Sequence, residues 1–268
     1  MPTDILTELM QKHHIPAFGM IPYADIASHL IPCRAIKRIP SDAKTVMLML
    51  FPYYIAPFPE RNISLYAVVP DYHAIVGDIL RALASDCEAA FDKTFVPFTD
   101  SSPIPEVEAA AKAGLGVIGQ NGLLLNETYG SYCFIGELVT DMDFNAVSKE
   151  IRTCIQCGAC RKSCPQGAIT DSGRDYTRCL SALTQKKKGL TPEEESAIAQ
   201  SGFVWGCDRC QEVCPCNRHP KSTEIPAFLQ GAVPIITEEN VDRLFADRAF
   251  AWRGEAVIKR NMGLVCRL

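Results

Sequence analysis

Four cysteines between residues 154 and 164 constrain this chain more than any other feature: Cys154-x2-Cys157-x2-Cys160-x3-Cys164, with Pro165 after the last. Three thiolates at successive x2 spacing wrap the corner of an iron–sulfur cube, and in two-cluster ferredoxins the fourth cysteine of such a run ligates the other cube. A second set must then lie elsewhere and send one ligand back. Cys207-x2-Cys210-x3-Cys214-Pro215 repeats the end of the first run without its leading cysteine, and Cys179 fills that place. The spacing predicts two 4Fe-4S clusters completed by exchange: Cys154, Cys157, Cys160 with Cys214, and Cys179, Cys207, Cys210 with Cys164. Two structural zinc sites of four cysteines each are the alternative, although such sites usually pair separate C-x2-C knuckles around one tetrahedral ion. Cys216, one residue past the second proline, receives no ligand role.

The compartment supports this reading of the cysteines. The amino terminus MPTDILTELMQKHH lacks the basic, apolar, small-residue order of a signal peptide, and no apolar run reaches the ~18 residues of a membrane span. We therefore expect a cytoplasmic protein with no membrane partner, in which 13 cysteines serve metals or catalysis rather than disulfides. A net charge of -4 argues against a general nucleic-acid binder. Cys87, four residues after Leu83 on an apolar helical face, and Cys133, inside YCFIGELV, read as small buried hydrophobes. Nothing suggests covalent dimers, and a monomer is expected.

With 268 residues, 47% of them hydrophobic, the chain can bury one large core or two modest ones. Residues 3–13 predict an amphipathic helix, TVMLMLF at 45–51 a strand buried on both faces, residues 74–91 a helix, TFVPFT a short strand, and 132–139 a further strand. The expected fold class is α+β: an α/β domain over 1–148, a ferredoxin-like two-cluster domain over 149–219, and a helical tail over 220–268 that packs on the core. Gly114-x-Gly116-x2-Gly119 fits the dinucleotide fingerprint on paper, but that fingerprint needs a strand before it and a helix after it. Here EVEAAAKAG precedes the loop, so Gly114 reads as a helix stop in left-handed geometry and no nicotinamide site is expected. His13, His14, His29, His73 and His219 form no metal-binding pair at helical spacing, and Lys186 to Lys188 read as a solvated face.

The linear order of several blocks resembles the epoxyqueuosine reductase family. They are LYAVVPDYH, the stretch SPIPEVEAAAKAGLGVIGQNGLLLN that follows Asp100 and Ser101, YGSYCFIGELVTD, CIQCGACRKSCPQGAI, RCLSALT, GCDRCQEVCPCN and WRGEAVIKRN, spread from about residue 40 to the carboxyl end. The resemblance implies a cobalamin-binding first domain related in fold to reductive dehalogenases, joined to a double 4Fe-4S domain. It also implies reductive removal of the epoxide oxygen of epoxyqueuosine in tRNA, the last step of queuosine formation, with electrons from a ferredoxin- or flavodoxin-type donor. Asp100, between Thr99 and Ser101, matches the family's acidic position and would supply the proton that the departing oxygen needs, with Glu106 second. Without the resemblance, an aspartate before Ser-Ser-Pro reads as a turn residue.

Tyr66, Asp71, Tyr72 and His73 would lie near the corrin, with Gly114, Gly116, Gly119, Gln120, Asn121, Tyr129, Ser131 and Glu137 completing the pocket. No D-x-H-x-x-G pattern is present, so no histidine is expected on cobalt. Three departures weigh on the tRNA substrate more than on the cofactors: the chain stops at Leu268 where long members continue into helical repeats, Gln120 replaces a lysine, and the net charge is acidic. The competing readings are a two-cluster electron carrier with no catalysis of its own and a corrinoid reductase acting on a substrate other than tRNA. Saturable cobalamin binding separates the first of these from an enzyme.

Overall fold

The computed structural model describes residues 2–55 and 57–266, which divide into two compact units. The first unit comprises residues 1–52, 73–119 and 123–154; the second comprises 53–72, 120–122 and 155–268. This departs from a contiguous division at 148 and 219. Residues 53–72 and 120–122 join the part that bears most of the clustered cysteines, the 220–268 stretch lies within that same unit, and residues 149–154, with Cys154, stay in the first. No helix among the described residues is long and apolar enough to cross a membrane.

Along the chain run α1 (Pro2–Lys12), β1 (Ala17–Pro22), β2 (Thr45–Pro52), the single turn α2 (Leu65–Val68), α3 (Tyr72–Phe91), β3 (Phe95–Thr99) and α4 (Glu106–Lys112). A two-residue hairpin, β4 (Val117–Ile118) and β5 (Leu124–Leu125), then leads to β6 (Cys133–Thr140). The main sheet has the order β1-β2-β6-β3 and every neighbouring pair is antiparallel. Helices and strands alternate in sequence, yet the main sheet is antiparallel throughout its described strands, so the unit is α+β.

Every residue of β2 is buried, as an unbroken apolar run requires. Its alternate side chains serve two layers. Val46, Leu48 and Leu50 join Ile21, Phe98, Ile135, Val139 and the alanines of α4 in one core. The opposite face is covered by α3: a Cβ at Gly136 would meet Leu80 and Phe51 at 2.8 Å, so only glycine lets helix and sheet approach this closely. At α4 the expected stop is present. Gly114 sits at φ +80, and the N–H groups of Gly114 and Leu115 close back on Ala111 and Ala110 carbonyls. A hairpin, not a helix, follows the glycine loop, in keeping with the absence of a dinucleotide fold.

The second unit has little sheet. It continues with α5 (Ala159–Ser163), the small hairpin β7 (Ile169–Thr170) and β8 (Gly173–Arg174), α6 (Leu180–Thr184), α7 (Pro192–Ser201), α8 (Arg209–Glu212), α9 (Pro226–Gln230), α10 (Val241–Leu244) and α11 (Glu255–Val265). Thr191 starts α7 with a full capping box: Glu194 N–H donates to its hydroxyl at 3.3 Å, and the Thr191 N–H donates to the Glu194 carboxylate at 2.9 Å. A small apolar cluster of Leu180, Leu183, Ile198 and Leu264 joins α6, α7 and α11. Asn261, fully buried, reinforces it by donating to the carbonyls of Thr184 and Val204 at 2.7 and 2.8 Å. Asp208 is also fully buried and accepts from Arg61 and from the Leu65 N–H, both at 2.7 Å, and from the Ser64 hydroxyl.

Candidate functional site

In the second unit, short helices space the cysteines. Gly158 takes a left-handed φ of +74 to start α5, which carries Cys160, while Cys179, Cys207 and Cys214 lie at the entries to helical turns. Burial pushes the Cys207 thiol up to about 12; the Arg209 N–H opposes this, while Asp208, Cys210 and Cys179 add to it by their charge. Burial likewise raises Cys210 to about 11, against a hydrogen bond from Asn121, with Cys179 again a neighbour. These three are the members that spacing groups together. Cys214 is also raised by burial to about 11, with the charges of Cys216 and Cys160 adding to the shift. Cys164 accepts the Ala168 N–H at 3.2 Å.

Protonated thiols in such surroundings bind no metal. An iron cluster must displace those protons, and its own positive charge then holds the thiolates. The donor set is therefore chemically suited to soft iron–sulfur ligation. Cys87 and Cys133 lie in the first unit, on α3 and β6: Cys87 is fully buried, as a small hydrophobe would be, whereas Cys133 is half-buried against the core.

The first unit gathers acids. Asp100 follows β3 in left-handed geometry, φ +57, and its carboxylate lies 3.2 Å from His73 Nε2 at the start of α3. Its side chain is 53% exposed. Behind it, the Glu106 carboxylate in the first turn of α4 accepts the Asp100 N–H, and burial foremost, with the Asp100 charge next, pushes Glu106 up to about 8. Glu137 lies on central strand β6, paired with Leu48 on one side and Phe98 on the other, and is fully buried. Burial raises it well above the carboxylate range, and the charge of Glu106 raises it further. Ser102 donates its hydroxyl to Glu137 and accepts the Ile104 N–H at 3.0 Å. The Oε1 atoms of Glu106 and Glu137 are buried with no hydrogen-bond partner among the described residues. The loop at 100–104 is thus tied to two interior carboxyl groups whose burial favours the protonated form.

Of the residues expected at a corrin, His73 and Glu137 belong to this acid group. Tyr66, in α2 of the second unit, accepts from Trp205 Nε1 at 2.6 Å, and the Asp71 N–H donates to the Asp247 carbonyl at 2.7 Å. Tyr72 opens α3 and is half-buried. Gly114 and Gly116 are crowded by protein, a Cβ at either meeting Lys149 or the Leu125 carbonyl within 2.5 Å. Gly119 closes its loop by donating to the Leu123 carbonyl at 2.8 Å. Tyr129 and Ser131 are buried before β6. Gln120 and Asn121 are found against Cys160 and Cys210. Sequence reasoning missed Ser102, whose place two residues after Asp100 in the Ser-Ser-Pro turn was the available signal. A cavity of about 690 Å³ in the second unit, lined by Asn62, Val204, Ile236, Asp242, Lys259 and Cys266 among others, contains none of the expected residues.

Comparison with known proteins adds to these findings. Residues 153–217 match the 4Fe-4S double cluster binding domain, which answers the zinc alternative, and residues 34–101 match the family described as epoxyqueuosine reductase QueG, DUF1730. An epoxyqueuosine reductase of Aliivibrio fischeri is 40% identical over 171 residues, covering 63% of this chain and 46% of the relative. Another, of Lactococcus garvieae, is 36% identical over 240 residues, 82% of this chain and 68% of the relative. The chain thus spans about half the length of the first and two thirds of the second. Epoxyqueuosine reductase from Streptococcus thermophilus superposes with a TM-score of 0.80 at 24% identity, covering 98% of this chain and 80% of that one. An epoxyqueuosine reductase with a tRNA-Tyr epoxyqueuosine-modified stem loop gives 0.82 at 22% identity, with the same coverage. A catabolic reductive dehalogenase shares the fold at 0.50 and 17% identity, over 96% of this chain and 37% of that one.

Proposed function

Because this chain belongs to the epoxyqueuosine reductase family, we propose that it removes the epoxide oxygen of epoxyqueuosine in a tRNA anticodon loop. Both carbon–oxygen bonds of the epoxide break, a carbon–carbon double bond forms, and the oxygen leaves as water, consuming two electrons and two protons. An external ferredoxin- or flavodoxin-type donor would supply the electrons, and the cysteines of 154–214 would hold the two clusters that give the chain its electron-transfer chemistry. Bound cobalamin supplies the strongly reducing cobalt chemistry at the substrate. Segments 66–73, 114–121 and 129–137 are the proposed corrin-holding parts of the chain. The protein works as a cytoplasmic monomer.

The observation that carries this reading is Asp100, an exposed carboxyl group tied to His73 and backed by Glu106 and Glu137. An acid that delivers protons to a departing oxygen needs access to substrate and a source that restores its proton. Exposure provides the first. Solvent at this exposed face, beside His73, provides the second. Asp100→Asn in cluster- and cobalamin-loaded protein should abolish conversion of an epoxyqueuosine stem loop while cobalamin binding persists. Full turnover by that variant would remove Asp100 from the role, and failure of the loaded wild type to convert the stem loop would sink the tRNA assignment.

A further inference from the structure

Gln120 and Asn121 belong to the second unit, although Gly119 and Leu123 on either side belong to the first. Gly119 N–H to Leu123 O closes the loop, and Gly122 at φ +76 reverses the chain, so these amides occupy the tip of a tight turn. Gln120 Oε1 lies 4.0 Å from Cys160 Sγ, a long contact that only a sulfur atom reaches. Asn121, 2% exposed, makes a side-chain hydrogen bond to Cys210. Cys160 neighbours Cys214, whereas Cys210 neighbours Cys179 and Cys207. Two consecutive residues therefore touch one cysteine of each expected cluster.

A cysteine sulfur bound to iron carries no proton and can only accept. The oxygen and nitrogen of a side-chain amide exchange places by a half-turn, so Gln120 presents Nε2 to a ligated Cys160 where it presents Oε1 to a thiol. Hydrogen bonds to cluster sulfurs are among the features that set reduction potential, because donors favour the more negative reduced cluster. We propose that Gln120 and Asn121 are a pair of amide donors that set the two cluster potentials separately, one residue per cluster. Their adjacency in sequence fixes the potential gap between the cubes at a single turn of backbone. This inference depends on the two-cluster domain and not on the substrate.

The test is an anaerobic redox titration of the full chain, reconstituted with iron and sulfide and followed by electron paramagnetic resonance. Asn121→Leu should lower the potential of one cluster and leave the other in place, and Gln120→Leu should do the reverse. Gln120→Lys should raise the potential that Gln120→Leu lowers. Two potentials unmoved by both leucine variants, or moving together in each, would overturn the assignment. Should Asn121→Leu fail to take up both clusters, wild-type protein labelled with 15N at asparagine and glutamine side chains serves instead. Pulsed resonance should then show a side-chain nitrogen coupled to each reduced cluster, and absence of that coupling at both would refute the proposal.

Discussion

The two units solve the problem of staying folded in different ways. The first surrounds a sheet with side chains that water does not reach, among them Leu48, Leu50 and Phe51 of β2, each worth about 1.5–3 kcal/mol on burial. The second has short helices, a small apolar cluster and buried polar links such as Arg61–Asp208, and most of its cluster cysteines are only half-buried. The first unit thus draws its folding free energy from apolar burial, and the second would gain part of its own when its cysteines take up iron.

Removing the clusters with an iron chelator should break this comparison most visibly. Amide hydrogen exchange should become fast across residues 155–218 while β2 and β6 keep their protection; equal loss in both units would show that the second does not lean on its metal. A smaller, opposite effect should come from Leu50→Ala, which costs about 2–5 kcal/mol in denaturant melts. Its cluster absorbance should persist to denaturant concentrations at which the strands have already lost protection.

Acidity sharpens the contrast further. The folded Glu106 value of about 8 stands above the ordinary 4.5, so the unfolded chain releases this proton first as pH rises. Its contribution is complete below ~4.5 and is withdrawn as pH climbs to about 8, giving a first unit that weakens across that window. Glu106→Gln should flatten the slope of stability against pH, leaving the part due to Glu137; an unchanged slope would place the proton elsewhere. The smallest effect belongs to Thr191→Ala, which removes a cap of α7 and costs ~1 kcal/mol, read as faster exchange at 193 and 194 alone.

Much of this was legible in the sequence because it is local. An unbroken apolar run makes β2, a glycine after an alanine-rich helix makes the stop at Gly114, and the x2 and x3 cysteine intervals mark the stretch that matches a double-cluster domain. What escaped depends on distant neighbours. The resemblance alone marks Glu137, and nothing in the apolar run around it signals that its carboxyl group is fully buried beside Ser102 and Glu106. The passage of residues 53–72 and 120–122 into the second unit has no local mark, because Asp208, which holds Ser64 and Leu65 there, lies over 140 positions away.

One backbone angle bears on how such a protein changes under selection. A left-handed residue other than glycine costs about 1–2 kcal/mol, and Asp100 bears that cost at φ +57. Aspartate and glycine codons differ by a single base, so a more relaxed turn is always one mutation away. Laboratory evolution that rewards heat resistance alone should arrive at Asp100→Gly early, yielding a sturdier chain without the acid, whereas selection for turnover should keep discarding it.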